Sequence, residues 1–296
     1  MSNRLKTFLA MICVVVIFVS TMSSFALAVD DQPEEEVCEP LVIEYCEVPL
    51  YVDGYCIGSG FLLDGVTYVP MLAFCEAMLM TEFEAEWNQE EESVYLAAEG
   101  IEISMTMSDN YIVANGRYLY LADGAYNING TIMAPIRELA KIFSLEIEWD
   151  HENWSIDIDP SDILIFESGD EFYDEDSVYW LSRVISAEAG AEPMEGRIGV
   201  GNVVLNRVAD ESGAWENTIE DVIFQPGQFA VAETGAVYLE PNEESVIAAK
   251  LCLEGYNTVG DSKFFFNPKY SSSSWLKTIG TYVTTIANHV FYAYKS

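Results

Sequence analysis

The sequence predicts an α+β protein of two domains: a small module of repeated strand and helix units, then an α-rich C-terminal domain. Three observations predict it. A turn–strand–proline–helix unit occurs twice between residues 41 and 159. Acid is concentrated ahead of residue 177, with 35 Asp and Glu against 3 Lys and Arg in residues 29–176, and 14 against 8 in residues 177–296. From Ser177 onward, apolar residues recur at helical spacing. The 296 residues give each domain enough chain to bury a core, and a hydrophobic content of 50% argues against disorder despite a net charge of −36.

The chain opens as a secretory signal peptide over residues 1–28. Arg4 and Lys6 supply the basic start, Phe8 to Val19 an apolar run, and Ala26-Leu27-Ala28 the small residues of a cleavage site. The apolar run is short of the roughly 20 residues that span a bilayer, so cleavage is expected over an uncleaved anchor. The expectation is an exported, secreted chain holding no stable membrane span. Residues 29–40 read as a solvated acidic lead. Such a negative surface repels polyanions, which excludes nucleic acid as a partner.

Cys38, Cys46, Cys56 and Cys75 stand close enough in sequence to form up to two disulfides in an exported protein. Small apolar packing residues are the alternative. The cysteines match no zinc spacing, and His151 and His289 are isolated, so no metal site and no cofactor is expected.

In the first repeat, Asp64-Gly65 leads through a strand to Pro70 and a helix over Met71–Met78, then Glu86-Trp87-Asn88 and Ser93-Val94-Tyr95-Leu96. The second copy runs from Asn129-Gly130 to Pro135, a helix over Ile136–Phe143, then Trp149-Asp150 and Ser155–Ile158. Asp53-Gly54 and Asn115-Gly116 precede the two copies at a spacing of 62. DG and NG pairs are hairpin turns, and proline opens a helix at its first position. These residues resemble the copper amine oxidase N-terminal-like domain over residues 41–159. The resemblance implies a sheet curled around a helix and a role in attachment or spacing, with a wall component or protein as partner. It implies no copper chemistry.

Residues 160–176 read as an acidic linker, with Ile163–Phe166 able to cap a neighbouring sheet. Residues 177–296 form the second domain. Asp176 or Ser177 is expected to cap a helix over Val178–Ala189 that Gly190 stops. Leu181, Val184 and Ile185 place Glu188 on the apolar face. A carboxylate there is costly unless protonated or paired. It is either catalytic or a structural glutamate held by Arg183, Arg197 or Arg207. A second helix starts near Pro193, and Gly199 with Gly201 inside it suggests close helix packing. A turn at Gln225–Phe229, a helix over Pro241–Leu253 and the aromatic run Phe264–Phe266 before Asn267 follow.

Five blocks then stand in order: Ser186-Ala187-Glu188-Ala189 with Glu192-Pro193 and Gly196; Val203–Arg207; Gln225-Pro226-Gly227-Gln228-Phe229; Phe265-Phe266-Asn267-Pro268; and Asn288-His289-Val290-Phe291-Tyr292. Together they resemble the SleB-like family of spore cortex-lytic and cell wall hydrolases. The resemblance implies a lysozyme-like (lytic transglycosylase-like) domain that cleaves peptidoglycan glycan strands, with Glu188 as the catalytic acid. Gly190 departs from the arginine that the family often carries in this motif. The family supplies no second catalytic carboxylate, which favours a lytic transglycosylase over a hydrolytic muramidase. A catalytically inactive wall-binding scaffold is the rival from another class. Gln228, Asn267 and Asn206 are candidates to hold N-acetyl groups. Phe229, Phe265 and Tyr292 are candidates to stack on sugars or to pack the core, and His289 to bond within the cleft or to serve structure.

Overall fold

The computed structural model describes residues 46–271 and 275–295. The expected signal peptide, the acidic lead and Cys38 lie outside the described residues. The chain divides into two compact units, one of residues up to 114 together with 121–166, the other of residues 115–120 and 167–296.

In the first unit a seven-stranded sheet has the order β11-β12-β1-β2-β3-β10-β9. These strands are β1 (Cys46–Val52), β2 (Tyr55–Leu63), β3 (Val66–Pro70), β9 (Tyr126–Ile128), β10 (Thr131–Pro135), β11 (Glu146–Asp150) and β12 (Ser155–Asp159). Strands β1 and β12 pair in parallel, Leu50 opposite Ile156. A second, antiparallel set contains β4 (Glu84–Asn88), β5 (Ser93–Ala98), β6 (Ile101–Thr106) and β7 (Tyr111–Ala114). Helices α1 (Met71–Leu79) and α2 (Ile136–Ile142) each follow directly on a strand that ends in proline. Pro70 and Pro135 occupy the N-cap positions, where a missing N–H costs nothing. Met71, Phe74 and Cys75 of α1 and Ile136, Leu139 and Ala140 of α2 are buried, so the helices fill the core.

The four DG and NG pairs of the repeat adopt left-handed backbone at both residues: Asp53-Gly54, Asp64-Gly65, Asn115-Gly116 and Asn129-Gly130. That is the tight hairpin geometry whose twist matches the flanking strands. The two copies share a further turn. Asn88 Oδ1 accepts from the amides of Glu90 and Glu91 at 3.0 and 3.2 Å, and Asp150 Oδ1 accepts from those of Glu152 and Asn153 at 2.8 and 3.1 Å. Each turn ends on a left-handed residue, Glu92 in the first copy and Trp154 in the second. That conformation costs a side-chain-bearing residue on the order of 1 kcal/mol.

Among the described residues no two cysteines form a disulfide. Cys46 and Cys56 are exposed thiols and Cys75 a buried one. Cys46 faces Leu62 and Cys56 faces Tyr51, so the first two sit toward opposite ends of the β1–β2 pair. Their separation far exceeds the roughly 7 Å that a disulfide tolerates between Cα atoms. The stretch expected as a linker is also more structured than its composition suggests. The amides of Leu164 and Phe166 donate to the carbonyls of Phe143 and Ile142, returning this segment to the end of α2.

The second unit holds strand β8 (Arg117–Tyr120) and helices α3 (Gly169–Phe172), α4 (Glu175–Ala189), α5 (Met194–Val208), α6 (Ile219–Phe224), α7 (Ala230–Thr234), α8 (Glu243–Leu253) and α9 (Leu276–Ile279). A three-stranded sheet completes it, in the order β13 (Phe264–Phe266), β15 (His289–Tyr294), β14 (Gly280–Ile286). Helix α4 starts earlier than expected: Asp174 is its cap, accepting from the Ser177 amide at 2.8 Å. Helix α8 begins at Glu243 because Asn242 caps it, accepting from the Ser245 amide at 2.9 Å. Glu254, just past α8, accepts from Arg117 Nη2 at 2.7 Å, Arg117 Nε at 3.0 Å and the Tyr173 hydroxyl at 2.7 Å. That buried carboxylate is fully satisfied.

Helix α5 runs through the middle of the unit, buried along most of its length. Its two glycines are contact points. A Cβ on Gly199 would lie 2.9 Å from both the Phe291 ring and a Val259 methyl. A Cβ on Gly201 would lie 2.6 Å from Cys252 Sγ and 2.9 Å from Ile185 Cδ1. Close approach of α4 and α8 to α5 therefore depends on the absent side chains.

Candidate active site

Glu188 sits in the last turn of α4, continuing the face that buries Leu181, Val184 and Ile185. The end of this helix is fastened from two sides. Arg197 Nη2 donates to the Gly190 carbonyl at 2.9 Å and Asn242 Nδ2 donates to the same carbonyl at 3.2 Å. Asn242 also donates its backbone amide to Ser186 Oγ at 3.3 Å. The otherwise unpartnered carbonyls at a helix end are thus satisfied by side chains, which fixes the backbone carrying Glu188.

The arginines considered as structural partners are engaged elsewhere. Arg183 pairs with Glu240 at 2.9 Å, Arg197 pairs with Glu244, and Arg207 Nε donates to the Lys263 carbonyl at 2.8 Å. No ion pair to Glu188 is found among the described residues. Glu188 is half-buried, and burial pushes its pKa above the ordinary carboxylate range, while the positive charge of Arg207 pulls partly against this. Arg207 is 4% exposed, and burial lowers its pKa to about 10. Its Nη1 is buried with no partner among the described residues. The guanidinium carbon lies 4.2 Å from the Trp215 ring centre and 5.0 Å from that of Phe229.

From Arg207 a row of contacts crosses the unit. Phe229 and Phe265 are 6.4 Å apart between ring centres, and Phe265 meets His289 edge-on at 5.2 Å. His289 is buried, which lowers its pKa; the negative charge of Glu192 opposes that shift. His289 Nδ1 has no partner among the described residues. Glu192 itself, 8% exposed, accepts from the Asn288 amide at 3.1 Å and from Asn288 Nδ2 at 3.0 Å. That bidentate grip holds the turn at Ala287, which has left-handed backbone, and so positions His289 at the start of β15.

Three of the candidates for sugar binding are spent on structure. Phe229 is only 2% exposed and has no free face for stacking. Asn206 Nδ2 donates to the carbonyls of Gly260 and Ser262 at 2.7 and 2.9 Å, so its amide ties down a loop. Tyr292 is likewise buried, against Phe266 and Phe264. Asn267 forms a turn, its Oδ1 accepting from the Lys269 amide at 3.0 Å. Gln228 follows Gly227, whose left-handed backbone makes the Gln225–Gln228 turn, and its half-exposed side chain has no hydrogen bond among the described residues.

Two residues gained importance only in three dimensions. Arg207 was a possible partner, but its place as the charge acting on Glu188 depends on α4 meeting α5. Glu192 read as an ordinary acid before a helix; only the return of the chain at Asn288 reveals its grip. Among the described residues no three His, Cys, Asp or Glu side chains gather as a metal site would. None of the described helices is long and apolar enough to cross a membrane.

Comparison with known proteins matches residues 191–292 to the family described as Cell Wall Hydrolase. The C-terminal domain belongs to this family. Residues 52–158 match the family described as Copper amine oxidase N-terminal domain. Glu188 stands three residues ahead of the hydrolase match, so its role rests on the geometry above. A spore cortex-lytic enzyme of Bacillus cereus is 31% identical over 119 residues, which is 40% of this chain and 45% of that protein. One from Oceanobacillus iheyensis is 30% identical over 119 residues, 40% of this chain and 42% of that protein. The chain thus spans less than half the length of the curated relatives it matches. The crystal structure of the catalytic domain of the Bacillus cereus SleB protein is 31% identical and covers 40% of this chain and 91% of that one, with a TM-score of 0.38.

Proposed function

We propose that the chain cleaves the glycan strands of peptidoglycan, outside the cell, in vegetative wall or spore cortex. The observation that carries this reading is Glu188, a desolvated carboxyl without an ion-pair partner among the described residues, on a helix end that two side chains hold still. A carboxyl whose pKa burial raises holds its proton to higher pH than an exposed one, which suits it to deliver that proton to a departing sugar oxygen. Membership of the hydrolase family and the relatives' description as spore cortex-lytic enzymes support the substrate class.

The scissile bond joins C1 of N-acetylmuramic acid to O4 of N-acetylglucosamine. Glu188 gives its proton to O4 as the C1–O4 bond breaks, and the positive charge develops at C1. The nearby charge of Arg207 stabilises the carboxylate left behind, without so close a pairing that it would strip the proton beforehand. In a hydrolytic glycosidase, a second carboxylate activates water or attacks C1. The charge acting on Glu188 here is an arginine, and the buried acid Glu192 is occupied by Asn288. Those facts favour the intramolecular route. The muramic acid 6-hydroxyl attacks C1, Glu188 takes back a proton from it, and a 1,6-anhydro end forms. Gln228 supplies an amide without a hydrogen bond among the described residues for an N-acetyl group, with Asn267 and His289 as further substrate-binding residues.

Digestion of purified peptidoglycan followed by mass spectrometry tests the reading. Ends lighter by one water than hydrolysed ends are expected from the native chain. Ordinary reducing ends would replace the transglycosylase route with hydrolysis. An intact substrate would leave a scaffold.

A further inference from the structure

We infer that the hairpin tip at Trp149–Trp154 of the first unit is a binding site for a neutral N-acetylated sugar strand. The turn does not need tryptophan. Asp150 closes it through the amides of Glu152 and Asn153, as Asn88 does in the other copy through those of Glu90 and Glu91. The left-handed position that ends the turn is Glu92 in one copy and Trp154 in the other. Bulky residues are rare in that conformation, and this one is 58% exposed. Both features work against folding, and strained positions of this kind recur where a ligand is held.

The rings around Trp154 form a corner. Trp149 and Trp154 lie 6.0 Å apart at 76°, and Trp149 meets His151 at 6.3 Å and 81°. Rings packed edge to face keep open faces turned in different directions, suited to the apolar face of a pyranose. The charge around the corner disfavours an anionic ligand. The surrounding strand carries exposed Glu146 and Glu148, and Glu152 is exposed in the turn itself, so an anionic polymer is repelled. Asp150 has both oxygens committed, Oδ1 to two amides and Oδ2 to Asn153 Nδ2 at 2.6 Å, and so shapes the turn rather than meeting a ligand. The hairpin of the other copy presents Trp87 without a second ring at its turn position, its Nε1 donating to Gln89 Oε1 at 3.2 Å.

This inference is independent of the role proposed for Glu188. Its test uses the full chain carrying Glu188→Gln, so that no probe is cut, titrated with tetra-N-acetylchitotetraose while tryptophan fluorescence is followed. Binding is expected, and Trp154→Asn should weaken it about tenfold or more, a loss of about 1.4 kcal/mol. The same substitution should keep or raise the melting temperature, because asparagine suits left-handed backbone better than tryptophan. Trp87→Asn should leave the affinity unchanged. The inference is overturned if the parent chain binds no sugar, if Trp154→Asn binds as tightly as its parent, or if choline binds at Trp154 and sugar does not.

Discussion

Replacement of Gly201 by alanine probes the packing that sets Glu188. The added methyl would sit 2.6 Å from Cys252 Sγ on α8 and 2.9 Å from Ile185 Cδ1 on α4. Ordinary contacts between such atoms are about 3.5–4.0 Å, so the helices must separate by roughly 1 Å. Two neighbours on different helices close in together, so no single rotation relieves both. Overpacking of this kind costs about 1–3 kcal/mol, and the exchange of glycine for alanine within a helix returns about 1 kcal/mol. With the cost near its upper end, a net loss of about 2 kcal/mol is expected. For a unit of this size that corresponds to a melting temperature lower by about 8 °C. Calorimetry should show the shift in the transition of residues 115–120 and 167–296, leaving that of the first unit in place. Activity should fall as well, because Ile185 lies one turn before Glu188 on α4. Cys252→Ala removes the nearer clashing atom, so the double substitution should recover part of the loss, a coupling that a double-mutant cycle reads directly. A neutral or stabilising Gly201→Ala, or strictly additive effects in the cycle, would refute the reasoning.

Glu192→Ala strips both acceptors from Asn288 and leaves a buried amide unpaired; a cost of about 1–3 kcal/mol is expected, read as a lower melting temperature. An unchanged melting temperature would remove Glu192 from the account. The raised pKa of Glu188 has two pH signatures. Activity that needs its proton should persist above the ordinary carboxylate range before declining on the alkaline side. Its contribution to stability is complete below its unfolded pKa and is lost as pH rises through the folded value, so Glu188→Gln should gain on the native chain toward alkaline pH. Parallel stability curves for the two chains would contradict the assigned burial.

Much of the fold is written locally. The DG and NG turns, the prolines at 70 and 135 and the glycines within α5 each act on their nearest neighbours, and each marks its element in the sequence. Helix starts were less legible, since Asp174, Asp176 and Ser177 are all competent caps and only packing chooses among them. Spacing along the chain says nothing of disulfide pairing, because it is register that separates Cys46 from Cys56. Within the site, the helical period alone places Glu188 on a buried face. It cannot tell that Phe229 and Tyr292 spend their rings on the core, or that Asn206 spends its amide on a loop, because those contacts join segments more than 20 residues apart. The strain at Trp154 was hidden for a related reason, because the tryptophan stands where a turn would have accepted almost any polar residue.

The most direct measurement is the release of glycan fragments from purified peptidoglycan by the native chain and by Glu188→Gln, compared at equal foldedness by circular dichroism. The account predicts anhydro-terminated fragments from the first and none from the second. Equal release by both chains would contradict it, whatever the fold of the domain.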